Sequence, residues 1–219
     1  MHGRILTAGL ALACLASTAE TAAGARYGST LKRAPNLSFG CEAALINDSI
    51  TGAPTITPSG QRTCTYRSQG FLGRVGITSL VPATGHITSI AVRSGRNPAP
   101  LRLTILDSSP GREGQCCTAL KFGRVFRPRA NAVTRIKTNM RVERIVDTGT
   151  GVVSTDVVAI SAVGPGSLPL RATPSAGQFN SGQPLSSFWY PLTKIGQPRT
   201  EAYTMPGLEL LFQWDFKRG

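Results

Sequence analysis

The thiols are the most reactive groups in this 219-residue chain: Cys14, Cys41, Cys64 and an adjacent pair, Cys116 and Cys117, in GREGQCCTAL. What they do depends on the compartment. The chain opens MHGRILTAGLALACLASTAETAAGARYG, with Arg4 ahead of an apolar run from Ile5 to Ala16 and Ala23-Gly24-Ala25 in A-x-A form. This is the pattern of a secretory signal peptide, 1–25, too short and wrongly flanked to be a membrane span. Ala11 and Leu12 hold places where a lipoprotein acceptor at Cys14 would want leucine and a small residue. Cleavage after Ala25 removes Cys14 and leaves an even number of cysteines bound for an oxidising compartment, where disulfides are expected.

Four cysteines allow three pairings. Neighbours on a strand face opposite ways. Their Cα atoms lie about 3.8 Å apart across a trans peptide, whereas an ordinary disulfide spans about 4.4–6.8 Å. The favoured reading is a Cys41–Cys64 staple around a turn-rich segment (Asn47, Asp48, Gly52, Pro54, Pro58, Gly60). Cys116 and Cys117 are then bonded to each other or free. The rival is two ordinary bridges from the pair back to Cys41 and Cys64.

Catalytic chemistry finds little support. After cleavage His86 is the one histidine, and no G-x-S-x-G elbow accompanies it. It reads as a strand-edge histidine. One histidine and oxidised cysteines do not make a zinc site, and no phosphate loop, EF-hand or H-E-x-x-H occurs. No catalytic residue, metal or cofactor is therefore assigned. Glu209 and Asp215 share a strand face, but six residues put them about 20 Å apart, too far to flank one glycosidic bond.

Binding is better supported. The net charge is +13. Residues 121–144 carry Lys121, Arg124, Arg127, Arg129, Arg135, Lys137, Arg141 and Arg144 against Glu143. Such a field attracts polyanions. Arg127, Arg129, Arg135, Lys137 and Arg141 are the candidate polyanion-binding residues, with an anionic cell-wall polymer or extracellular polysaccharide as partner. No nucleic-acid motif appears, so specific nucleic-acid binding is not expected. SFWYPL offers Trp189 and Tyr190 as candidate sugar-stacking residues; the competing reading packs these aromatics in the core.

The elements that must position these groups are strands. HITSIAVRS (86–94) and PLRLTILD (100–107) are joined by a hairpin-like GRNPA. NAVTRIKTNMRVE (131–143) alternates, with Thr134, Ile136, Thr138, Met140 and Val142 on one face and Arg135, Lys137, Asn139, Arg141 and Glu143 on the other. DVVAISAV (156–163), apolar on both faces, reads as a central strand. GLELLFQWDF (207–216) turns Leu208, Leu210, Phe212, Trp214 and Phe216 inward. Gly and Pro punctuate at short intervals, and no 3.6-residue period is sustained. The expected fold is all-β, a single jelly-roll-like antiparallel β-sandwich over 37–219, preceded by a flexible basic leader, 26–36. No transmembrane segment follows the signal peptide.

The order LSFGCEAAL, TCTY, LVPATGHITSIAVRSGRNPAPLRLTIL, QCC, NAVT, MRVER, DVVAISAV, SLPL, SFWYP and GLELLFQW resembles a group of uncharacterised secreted proteins of soil actinobacteria. The resemblance implies a secreted β-sandwich and brings no activity, cofactor or catalytic residue. The sequence thus points to a secreted, non-catalytic surface or extracellular protein binding anionic or carbohydrate polymer. The alternative is a secreted hydrolase of unrecognised type.

Overall fold

The computed structural model describes residues 24–47, 54–71, 79–107, 117–146, 153–174, 176, 183–189, 194–199 and 203–219. These form antiparallel sheets, with no helix among the described residues. The four-stranded sheet runs β1 (Ala25–Gly28), β16 (Phe212–Arg218), β5 (Gly85–Arg93), β8 (Val133–Val142). The larger sheet runs β13 (Pro198–Arg199), β7 (Cys117–Phe126), β6 (Leu101–Asp107), β10 (Val153–Ala162), β4 (Cys64–Phe71), β12 (Pro184–Trp189), β14 (Tyr203–Pro206), with β9 (Arg144–Val146) also on β10. Two short pairs complete the set: β2 (Ala43–Asn47) with β3 (Pro54–Pro58), and β11 (Leu170–Ala172) with β15 (Leu208–Leu210).

The main core draws on strands of both large sheets. Ile87, Ile90 and Val92 of β5 and Phe212, Trp214 and Phe216 of β16 share one cluster with Leu101, Leu103 and Ile105 of β6 and Val158 and Ile160 of β10. Burying alternate residues of both strand sets is what closes a sandwich. β10 is central as expected, and its other face joins a second cluster through Val157 and Ala159.

Three expectations need correction. Residues 26–36 are not a free leader. β1 pairs with β16 from Ala25↔Phe216 to Gly28↔Gln213, Tyr27 stacks on Trp214 at 4.5 Å, and Leu31 is buried. Gly28 lets the strand end there: its φ is +94°, and a Cβ would lie 2.3 Å from the Phe212 carbonyl oxygen. The β domain therefore includes Ala25–Gly28.

GRNPA is not a hairpin turn either, because β5 and β6 belong to different sheets. Its backbone bonds go elsewhere: Asn131 N–H donates to Gly95 C=O, and Ser167 N–H to Asn97 C=O. Finally, the expected last strand breaks at Leu211. β15 pairs with β11, whereas β16 pairs with β5 and β1. Leu211 packs on the opposite side with Leu31 and Ala91.

Cys41 and Cys64 are bonded to each other, with Cα atoms 5.4 Å apart and the β2–β3 pair between them. Cys117 is also in a disulfide. Its partner lies outside the described residues, so it is not Cys41 or Cys64. Cys14, Cys116 and the expected signal peptide up to Ala23 lie outside them too.

Candidate functional site

β8 is an edge strand whose alternation is retained in the fold: Arg135, Lys137, Asn139 and Arg141 are exposed, while Ile136 and Met140 pack on the core. Partners directly opposite in an antiparallel sheet share a face. The register therefore lays out the outer surface of the four-stranded sheet in rows. One row reads Lys137, Ser89, Asp215, Arg26, and the next Arg141, His86, Lys217. Arg135 stands beside Ala91, two residues along β8 from Lys137. Neighbouring strands are about 4.8 Å apart and same-face residues about 6.8 Å, so five cations share one small surface.

The acid in its middle is saturated. Asp215 accepts from Arg26 Nε at 2.7 Å, Arg135 Nη1 at 3.2 Å and the Ser89 hydroxyl. Burial alone would raise its pKa. Hydrogen bonds from Arg26 and Ser89, with the charges of Arg26 and Arg135, outweigh this and hold the carboxyl below its ordinary value. Arg141 Nε reaches Glu143 at 3.2 Å, an exposed pair of little energetic weight. Lys137 has no acid partner among the described residues.

Arg127 and Arg129 are exposed on the connection from β7 to β8. The Arg129 amide donates to Thr134 Oγ1 at 2.8 Å, which ties that connection to the start of β8. The five expected cations thus follow one margin, and Arg135 to Arg141 alone spans about 20 Å of strand. Sequence reasoning missed Arg26 and Lys217, which the pairing of β1 with β16 and of β16 with β5 adds to this face. Arg26 falls in the expected basic leader, and no local pattern ties it to a strand near the C-terminus.

Trp189 does not stack on sugar. It is fully buried in the second cluster, with the Arg67 guanidinium 5.3 Å from its ring centroid. Phe188 points the other way and stacks on Tyr66 at 5.1 Å. Alternation does separate the two aromatics, but neither face of β12 is open at these positions. Tyr190 lies outside the described residues.

His86 Nδ1 is buried, and among the described residues no carboxylate accepts from it as in a hydrolytic triad. Glu209 accepts from the Ser29 hydroxyl at 2.7 Å, separately from the Asp215 cluster. The fold does bring two other acids together: Asp107 and Asp156 are direct cross-strand partners of β6 and β10. Asp156 is buried and accepts the Glu143 N–H at 2.8 Å, and burial is the main cause that raises its pKa.

The chain matches no protein family, no curated protein and no solved structure.

Proposed function

We propose that the protein is a secreted, non-catalytic binder of anionic extracellular polymer, and that the outer face of the four-stranded sheet is its binding surface. The observation that carries this is the sheet register. It gathers Arg26, Arg135, Lys137, Arg141 and Lys217 on one solvent-facing surface whose central acid is already satisfied. A flat row of cations suits a linear polyanion such as an acidic polysaccharide or wall polymer, held by charge and released by salt. The Cys41–Cys64 disulfide supports an oxidising compartment.

The test is retention on an anionic polysaccharide column. Replacing Arg135, Lys137 and Arg141 with Gln is expected to lower the eluting salt concentration while leaving the melting temperature close to that of the parent. Unchanged elution would remove this face from the reading.

A secreted hydrolase has one observation in its favour, the Asp107–Asp156 pair. Directly opposed antiparallel residues have Cβ atoms about 4.5–5.5 Å apart, which puts the two carboxyl groups within reach of the about 5–5.5 Å carboxyl separation of retaining glycosidases. Turnover of generic glycosides that disappears in both Asp107→Asn and Asp156→Asn would establish that reading and displace the first.

A further inference from the structure

Asp215 does more than cancel charge on the cationic face. Its two carboxylate oxygens hold different guanidiniums: Arg26 Nε lies 2.7 Å from Oδ1, and Arg135 Nη1 lies 3.2 Å from Oδ2. The two arginines come from opposite margins of the four-stranded sheet. Arg26 stands on β1 directly beside Asp215, and Arg135 reaches it diagonally across β5 from the row of Ala91. The Ser89 hydroxyl also donates to Oδ2 and fixes the carboxylate between them. The Asp215 side chain is 18% exposed, whereas those of Arg26 and Arg135 are 56% and 47% exposed. The anchor is sunk and the guanidiniums face water.

A guanidinium has two donor edges that match a carboxylate, one formed by Nε and Nη2 and the other by Nη1 and Nη2. Arg26 gives Nε to Asp215 and keeps the Nη1–Nη2 edge. Arg135 gives Nη1 and keeps the Nε–Nη2 edge. Each arginine thus retains one complete two-donor edge, already oriented by the bond on its other side. Lys137 adds an ammonium in the row of Ser89 and Asp215. Three cations, Arg26, Arg135 and Lys137, against the one Asp215 carboxylate leave an excess of two positive charges.

We infer that Arg26 and Arg135 form a preset grip on two neighbouring carboxylates of one polymer, that Asp215 is the positioning residue for both arms, and that the polymer is a polyuronate. This rests on the polymer-binding reading of the same face and names its ligand. Carboxylates suit the grip on three grounds. Each is planar, with two oxygens for a two-donor edge. Each carries one charge, so two of them balance the excess. A polyuronate bears one on every sugar, so neighbouring groups can be met together. Arms already fixed by Asp215 lose little side-chain freedom on binding.

Calorimetric titration of the purified protein with an oligogalacturonate, at several salt concentrations, tests the inference. The oligomer is expected to bind, and its methyl ester, which keeps the sugars and removes the charges, should not. Joint replacement Arg26→Lys and Arg135→Lys keeps every charge and removes both edges. Affinity should then fall about tenfold while its salt dependence stays the same. Asp215→Asn makes the face more positive, yet it should weaken binding about threefold because the arms lose their anchor. Charge alone predicts the reverse: no change for the lysine pair and tighter binding for Asp215→Asn. Either of those results would overturn the grip and leave the polymer-binding reading standing. Tighter binding of a sulfated oligosaccharide of equal charge, or equal binding of the methyl ester, would overturn the polyuronate assignment. A parent protein that binds no polyanion at all would remove the polymer-binding reading and the grip with it.

Discussion

The outer faces of the two sheets start from similar sequence patterns and end differently. On β8, Arg135, Lys137 and Arg141 alternate with inward residues and stand in water. On β4, Thr65, Arg67 and Gln69 alternate with Cys64 and Tyr66, yet Thr65 is buried and Arg67 and Gln69 are half-buried. There the polar groups bond one another. Ser161 sits between Thr65 and Thr104, Ser187 is 2.9 Å from Thr204, and Gln69 donates to Ser187. Alternation says which residues share a face. Only the rest of the fold says whether that face meets water, and a covered polar face must satisfy its own hydrogen bonds.

The strongest way to break this contrast is at Trp189. Truncating a fully buried tryptophan costs about 3–5 kcal/mol, so Trp189→Ala should sharply lower the urea midpoint. Lys137→Ala on the open face should change stability by about 0.5 kcal/mol or less. If Trp189→Ala cost under about 1 kcal/mol, the covered face would be a second open surface and the sugar-stacking idea would return.

A smaller effect is expected at the staple beside β4. The Cys41–Cys64 bridge closes a sequence separation of 23 residues, for which loop-closure entropy gives about 3 kcal/mol. Replacing both with Ser should lower the melting temperature and leave retention on an anionic column unchanged, because the cationic face is on the other sheet. Lost retention would show that the two sides are coupled.

The cationic face was half legible beforehand. Its β8 residues follow a period of two, so Arg135, Lys137 and Arg141 could be placed on one surface from spacing alone. Arg26 and Lys217 could not, because their neighbours come from strands distant in sequence: the pairing of Arg26 with Asp215 spans 189 residues. DVVAISAV announced a central strand because both its faces are apolar. The break at Leu211 was invisible, since an unbroken alternation continues through a change of sheet. The row that Arg102, Ser161 and Thr65 form across β6, β10 and β4 was invisible for the opposite reason. Its members are single residues on three strands, and Ser161 and Thr65 are ordinary β-strand residues until the register sets them side by side.

The smallest effect separates two carboxylates that the fold treats oppositely. Asp215, on the open face, has its pKa held below the ordinary value of about 3.9. Its stabilising contribution is present above the unfolded pKa and fades as pH falls through the lower, folded value. Asp156, between the sheets, has its pKa raised, chiefly by burial, with the nearby Glu143 and Asp107 charges adding to it. The fold favours its protonated form. That advantage is present below the unfolded pKa and is lost as pH rises through the higher, folded value. Urea unfolding between about pH 2 and 7 should therefore give curves of opposite slope when each Asn variant is subtracted from the parent. The Asp215→Asn difference should grow with pH around 4 and below, stay under about 1 kcal/mol, and shrink in high salt, as befits a surface ion pair. The Asp156→Asn difference should move against the parent as pH rises past the raised pKa, and salt should affect it less. Parallel curves would show that the two carboxylates share one kind of environment and that the contrast between open face and interior does not reach the titration of these groups.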